Sequence, residues 1–246
     1  MNLKFVKDTL TIAALKSVPD FKRQPLMLAF LGLVGSFPLF FVVVFGGHLS
    51  YAIIGALVGT VGLMGLMSTI NDIGWDKYVK IRQIIVAMPV HPLSYALGVA
   101  LAPMVLTFPA LLFFIALALL TGALTLSSLL WAIPVMILCW TTLSSIGFVL
   151  STYLKNANVY TLNNISNLLG LGLAFLPPVY YSEEILGSFR WIAILFPTSN
   201  AAGLIRIYSG SLEATISMIA LRWLVLVVTT VACAALTITK ARWREE

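Results

Sequence analysis

Residue types that do chemistry are scarce in this 246-residue chain, and their spacing matches no common catalytic motif. None of its eight lysines follows a glycine, so the Gly-Lys-Ser/Thr sequence of a phosphate-binding loop is absent. The two histidines, His48 and His91, are separated by a long apolar block and are expected at opposite ends of the fold. No Gly-x-Ser-x-Gly sequence marks a nucleophilic serine. The sequence therefore disfavours an enzyme and a metal site on this chain.

Charge in the first half of the chain is concentrated in one short segment. Apolar blocks at 24–71 and 83–154 contain no Asp, Glu, Lys or Arg. Between them lies a charged island, consisting of Asp72, Asp76, Lys77, Lys80 and Arg82. Polar and apolar residues within 75–86 recur at helical spacing, which predicts a short amphipathic helix over 75–88. Exposed charges and aromatic rings on such a helix suit docking to a soluble protein. A positively charged loop that only sets membrane topology is the alternative.

The composition indicates a protein whose solvent is lipid. Hydrophobic residues make up 60% of the chain and charged residues only 10%, against about 25% charged in soluble domains. The net charge of +6 does not indicate nucleic-acid binding, because the basic residues lie between apolar blocks rather than on one soluble face. Without water, backbone groups must pair within the chain, so we expect an all-α polytopic membrane protein of one domain, residues 1–246.

Six apolar blocks are each long enough to cross about 30 Å of hydrocarbon as a helix. The predicted spans are 26–45, 51–70, 93–120, 129–152, 161–181 and 219–239. Before them, residues 1–25 have amphipathic spacing, which predicts a helix lying in the membrane interface; a solvated helix packed on a soluble subunit is the alternative. Twelve of the 15 Lys and Arg residues fall on the side of both termini, which predicts cytoplasmic termini and a multi-pass protein of the plasma membrane.

Some residues within the predicted spans have more than one interpretation. Gly55 and Gly59 form a small-residue face in span two, suited to close helix packing within the chain or to a dimer interface. Arg222, near one end of span six, is expected to extend to the interface beside Trp223, with a gating or substrate role as the alternative. No carboxylate lies within any predicted span, which disfavours coupling to protons or sodium.

Two longer segments have the pattern of a known transporter family. The first is KIRQIIVAMPVHPLSYALGVALA (80–102), a basic helix followed by a two-proline step and a glycine-containing span. The second is FLPPVYYSEEILGSFRWIAILFPTSNAAGLIR (175–206), in which Pro177 and Pro178 precede Pro197 and then Arg206. Together with the order of spans over nearly the whole chain, these segments resemble the membrane subunit of an ABC-2 type ATP-binding cassette transporter.

The resemblance implies a role for each of several segments. Residues 75–88 would be a coupling helix against an ATPase, with Trp75, Asp76, Lys77, Tyr78, Lys80 and Arg82 as its contact residues. Residues 1–25 would be a connecting helix. Residues 182–209 would form short re-entrant helices between spans five and six, with Glu183, Glu184, Arg190 and Arg206 at an outer gate; a solvated outer loop is the alternative. Asn163, Asn164 and Asn167 of span five are candidates to line the pathway, with simple hydration of a helix end as the alternative.

The function implied is that of an exporter permease. Two copies would pair above two cytoplasmic ATPase subunits, which would hold ATP and magnesium, while this chain would bind no cofactor and no nucleic acid. An amphiphilic, drug-like or lipid-like cargo, including a lipid-linked glycan, would move outward by alternating access. The other readings are an ion-coupled secondary transporter or channel, and a structural subunit of another membrane complex.

Overall fold

The computed structural model describes residues 3–23, 49–80, 90–154 and 157–240, and the regular structure in these ranges is helical throughout. This confirms the all-α prediction. The elements are α1 (Leu3–Arg23), α2 (Leu49–Tyr78), α3 (Pro92–Leu120), α4 (Leu126–Tyr153), α5 (Val159–Phe175), a 3-10 segment (Glu183–Phe189), α6 (Arg190–Ala193), α7 (Pro197–Tyr208) and α8 (Ile216–Lys240).

Within the described ranges, four helices are long and apolar enough to cross a membrane: α2, α3, α4 and α8. They correspond to predicted spans two, three, four and six. The fifth prediction, 161–181, is wrong at its end, because α5 has only 17 residues and stops at Phe175. Pro177 and Pro178 explain the stop, since neither proline has the N–H that would continue the helical hydrogen bonds after Leu176. The first predicted span, 26–45, lies outside the described residues.

Helix α2 is at the centre of the packing, in contact with α3, α4, α5 and α7. Nineteen of its 30 residues are buried. At 1.5 Å per residue the helix is about 45 Å long, whereas the hydrocarbon of a bilayer is about 30 Å thick. The helix is therefore longer than a span requires. Trp75–Tyr78 form its last turn, so the prediction that a separate helix begins at residue 75 is wrong.

The small-residue face of α2 is covered by a tyrosine from the same chain. A Cβ atom placed on Gly55 would lie 2.7 Å from Tyr180 Cδ1, and one on Gly59 would lie 2.0 Å from the Tyr180 hydroxyl. The Tyr180 ring also stacks on Phe175, with centroids 5.3 Å apart. The glycines thus pack within the chain, and a second copy cannot use the same surface while Tyr180 occupies it.

The polar residues collect at the two ends of α2. We call one the island end (residues 75–80, 90–95 and 151–154, with α1 beside them) and the other the arginine end (residues 49–51, 176–209 and 216–222). The first contains Asp76, and the second contains Tyr51, whose carbonyl accepts from Arg206. Asp76 lies 25 positions after Tyr51, so the two ends are about 38 Å apart along the helix axis.

Candidate functional site

At the island end, Asp76 joins three helices. Its side chain accepts from Lys16 of α1 at 2.8 Å and from the Tyr95 hydroxyl of α3 at 2.7 Å. Asp76 is only 4% exposed, and both oxygens of its carboxylate have a donor. A buried carboxylate is tolerated when it is paired and hydrogen-bonded in this way. Asp76 therefore holds α1 and the start of α3 against the end of α2.

The next residue, Lys77, ties α2 to α4. Its ammonium group donates to the carbonyl of Ser151 at 2.5 Å and approaches that of Leu154 at 3.5 Å. These carbonyls belong to the last turn of α4, where no further N–H of the helix is available, so a cation is favourable there. With Asp76 and Lys77 together, the end of α2 is braced on α1, α3 and α4.

Trp75 and Tyr78 point away from this braced junction. They are 54% and 67% exposed, and their rings meet edge to face with centroids 5.6 Å apart. Lys80 is also exposed and has φ of 59°, a left-handed conformation typical of the residue that ends a helix. An exposed aromatic pair held on a rigid support can bury substantial apolar area against a partner.

The six coupling residues predicted from the sequence thus separate into different environments. Trp75, Tyr78 and Lys80 are on the surface, as the docking interpretation requires. The prediction that Asp76 shares an exposed charged face is wrong, because its carboxylate turns inward to Lys16 and Tyr95. Lys77 is partly buried. Arg82, together with 81–88 of the predicted coupling helix, lies outside the described residues.

At the arginine end, Arg206 of α7 fills a cage of backbone carbonyls. It donates to Pro178 at 3.1 Å, to Tyr181 at 3.3 Å and also to Val179, and its guanidinium lies 4.1 Å from the centre of the Tyr51 ring. The first three belong to the irregular segment after α5, where no helix supplies donors. Burial lowers the pKa of Arg206 to about 10, so the side chain remains charged at neutral pH. Arg206 thereby fixes the path of 178–181 over the start of α2.

The neighbouring Arg222 of α8 is buried and paired with Glu183. One nitrogen, Nη2, donates to both Glu183 carboxylate oxygens at 2.5 and 2.6 Å. Arg222 is 2% exposed, so the prediction that it extends to the membrane interface is wrong. A cation inside a helix of spanning length is stabilised when a carboxylate meets it, and Glu183 supplies that carboxylate. Glu183 and Arg222 are both close enough to influence the charge of Arg206 electrostatically.

The four residues predicted for an outer gate are therefore in two groups. Glu183 and Arg206 lie in the arginine cluster, which we define as Glu183, Arg206 and Arg222. Glu184 and Arg190 are exposed. Between α5 and α7 lie the 3-10 segment and the four-residue α6, so 182–209 contains short helices.

The three pathway candidates lie on the less covered side of α5. Asn163 and Asn164 are exposed, whereas Asn167 is partly buried. The packed face of α5 consists instead of Leu162, Ser166, Gly170 and Ala174, which recur every four residues. Ser166 joins this face to α2 by donating to the Asn71 side chain at 3.1 Å. The amides of Asn163 and Asn164 are thus free to meet solvent, cargo or another chain.

Sequence reasoning missed three partners: Lys16 and Tyr95 for Asp76, and Glu183 for Arg222. Arg222 was identifiable as a residue that needs a counter-ion, because it is the only charged residue within 216–239. Which nearby carboxylate pairs with Arg222 depends on how the chain folds back after α5, and the helical periodicity of the sequence does not reveal that path. Lys16 and Tyr95 come from segments far apart in sequence and carry no local signal.

The sequence matches no protein-family model and no curated protein. Among the described residues, no three His, Cys, Asp or Glu side chains are grouped so that they could hold a metal ion.

Proposed function

We propose that this chain is the membrane-spanning permease subunit of an ATP-driven exporter, of the ABC-2 type that its sequence resembles. In this proposal it spans the plasma membrane six times, with the island end in the cytoplasm and the arginine end outside. A separate ATPase subunit, which binds ATP and magnesium, docks at the island end. Two copies of the chain pair to complete the pathway, and the described residues leave Asn163 and Asn164 uncovered for that purpose.

The exposed pair Trp75 and Tyr78 is the observation that carries the proposal. Aromatic side chains at the tip of a helix that extends beyond the apolar layer are costly to leave in water and favourable to bury against a protein. A loop that only sets topology would need neither ring. It would also not need the internal bracing by Asp76 and Lys77, which prevents the tip from moving independently of α1, α3 and α4.

Helix α2 offers a direct route for mechanical coupling. Its island end would receive the motion of the ATPase subunits as they close on ATP. Its other end is held by Arg206 at Tyr51 and by Tyr180 on Gly55 and Gly59. A tilt of this continuous helix would therefore move residues 178–181 and the short helices after them. ATP would shift the population from an inward-open to an outward-open state because the two states bind it with different affinity.

An amphiphilic cargo, drug-like, lipid-like or a lipid-linked glycan, fits the character of the described surfaces. A cavity of about 300 Å³ lies between α3, α4 and α8, with walls formed largely by Leu97, Met104, Trp140 and Phe148. Such walls suit an alkyl chain or an aromatic ring better than a sugar or an ion. Hydroxyl groups, including that of Ser144, provide the few polar positions.

The proposal is tested by identifying what binds the island end. The tagged chain would be purified in mild detergent from its own cells, and the co-purifying proteins identified by mass spectrometry. We expect an ATPase of the ATP-binding cassette class. The double variant Trp75→Ala/Tyr78→Ala should lose it. Tyr160→Ala is the matched control, because Tyr160 is an exposed aromatic near the same end outside the pair, and it should retain the partner.

Two results would contradict the proposal. One is a folded preparation that brings down no such ATPase; an ion-coupled transporter or an assembly subunit would then be the better explanation. The other is an ATPase retained equally by the double variant and by Tyr160→Ala, which would place the docking surface elsewhere. Because the double variant should lose the ATPase, it should also show no ATP-dependent transport, whereas Tyr160→Ala should transport as the wild type does.

A further inference from the structure

Arg222 uses only part of its hydrogen-bonding capacity. A guanidinium has five N–H groups, and pairs best with a carboxylate or a phosphate when two nitrogens donate to two oxygens. Here Nη2 alone contacts both oxygens of Glu183, while the buried Nε and Nη1 have no partner among the residues that the structure describes. Buried donors without acceptors are costly, so a second acceptor would stabilise this side chain.

The counter-ion of Arg222 belongs to a weakly held segment. None of the residues Glu183–Phe189 is buried, and Gly187 interrupts the segment with φ of 53°. The Glu183 side chain retains 19% exposure, whereas that of Arg222 has 2%. The pair thus joins a fixed cation on α8 to a carboxylate on a surface segment with few other contacts. Its opening would uncover the cation without unfolding a helix.

Charge in the arginine cluster is unbalanced toward the positive. Two guanidinium groups, Arg206 and Arg222, face one carboxylate, Glu183. Among the described residues, the donors of Arg206 meet carbonyls and the Tyr51 ring except at Nε, whereas Arg222 leaves both Nε and Nη1 without an acceptor. Gly203 makes room for it, because a Cβ atom at that position would lie 2.3 Å from Nη1. The site is therefore shaped around the guanidinium of Arg222.

We propose that Arg222 binds the anionic group, a phosphate or carboxylate, of a transported amphiphile after that group displaces Glu183. Glu183 acts as the resident counter-ion, which keeps the cation paired when no cargo is present and competes with weakly bound anions. This inference rests on the proposed function and names the class of cargo, an anionic amphiphile. It concerns binding by the purified chain alone, so its test does not require the ATPase.

The probe is dodecyl phosphate, titrated by calorimetry into the purified chain in nanodiscs of phosphatidylcholine. Partition of the probe into lipid is the same for every variant and is subtracted with empty nanodiscs. Glu183→Gln should bind more tightly than the wild type, by about tenfold if the ion pair is closed in nine molecules out of ten. Glu184→Gln removes the same charge from the next residue, which is exposed, and should bind as the wild type does.

The double variant Glu183→Gln/Arg222→Gln replaces the ion pair with two neutral amides and so leaves no unpaired buried charge. It should fold and should lose the saturable binding. The inference is overturned if Glu183→Gln binds no better than Glu184→Gln, or if the double variant binds as the wild type does. Inorganic phosphate is the second probe. Equal affinity for it would overturn the assignment to an amphiphile, since the dodecyl chain would then contribute nothing.

Discussion

Replacement of Arg206 by glutamine should loosen the whole arginine end. In the native fold the guanidinium donates to the carbonyls of Pro178, Val179 and Tyr181, and it also covers the Tyr51 ring. A glutamine side chain is shorter and can reach one of these carbonyls. At least two would then be buried without a donor.

The expected cost follows from the number of carbonyls left unpaired. Each buried group without a partner costs about 1–3 kcal/mol, and loss of the cation over Tyr51 adds roughly 0.5–2 kcal/mol. Entry of water and small backbone shifts recover part of this sum. We therefore expect Arg206→Gln to lower the free energy of unfolding by about 3 kcal/mol. At roughly 2–4 °C per kcal/mol for a chain of this size, the midpoint should fall by about 6–12 °C.

The assay is thermal unfolding in detergent, followed by tryptophan fluorescence and by loss of the monodisperse species. Arg190→Gln is the matched control, because Arg190 lies 16 residues earlier, carries the same charge and is exposed. Its midpoint should change by no more than a surface substitution normally produces, about 0.5 kcal/mol. A midpoint for Arg206→Gln within about one degree of that of Arg190→Gln would refute the carbonyl cage.

The remaining predictions each compare a variant with a matched control. Gly59→Ala should lower thermal stability, because the new methyl group meets the hydroxyl of Tyr180. Adding Tyr180→Phe to this variant should restore part of the loss. Gly65→Ala is the control and should be neutral, because the nearest atom to its new methyl group would be at an ordinary 3.5 Å. Equal midpoints for the two alanine variants would contradict the packing of Tyr180 on α2. Asp76→Asn should release α1, detected as faster hydrogen exchange over residues 3–23, whereas Asp8→Asn should leave exchange there unchanged. Unchanged exchange in Asp76→Asn would mean that the ion pair with Lys16 does not hold α1.

The features predicted best from the sequence are those that depend on the composition and length of each apolar block. Apolar blocks of adequate length became α2, α3, α4 and α8, since hydrophobic length determines such helices. Their bounds lie within three residues of the prediction, except that α2 runs to Tyr78 rather than to residue 70. Local chemistry also explains where α5 ends, because a pair of prolines follows it, although the predicted span ignored that signal. The segment 175–206, noted for its prolines and Arg206, contains the carbonyls to which Arg206 donates.

The details that depend on tertiary folding were not predictable in the same way. Whether Asp76 faces water or protein is decided by Lys16, which lies 60 residues earlier. Whether Gly55 and Gly59 meet a second chain or their own is decided by the path of Tyr180 after the break at α5. In each case the residue type was a correct indication that a close partner was needed, and the identity of the partner was determined by chain topology.

The proposed function requires that the two ends of α2 face opposite sides of a membrane, with the island end inside. Single cysteines at Tyr78 and at Glu184, in a chain whose Cys139 and Cys233 are replaced by alanine, would be labelled with a membrane-impermeant maleimide. We predict labelling at position 184 in intact cells, and labelling at position 78 only in inverted vesicles or after permeabilisation. Labelling of both positions from the same side, or of position 78 from outside, would contradict the account.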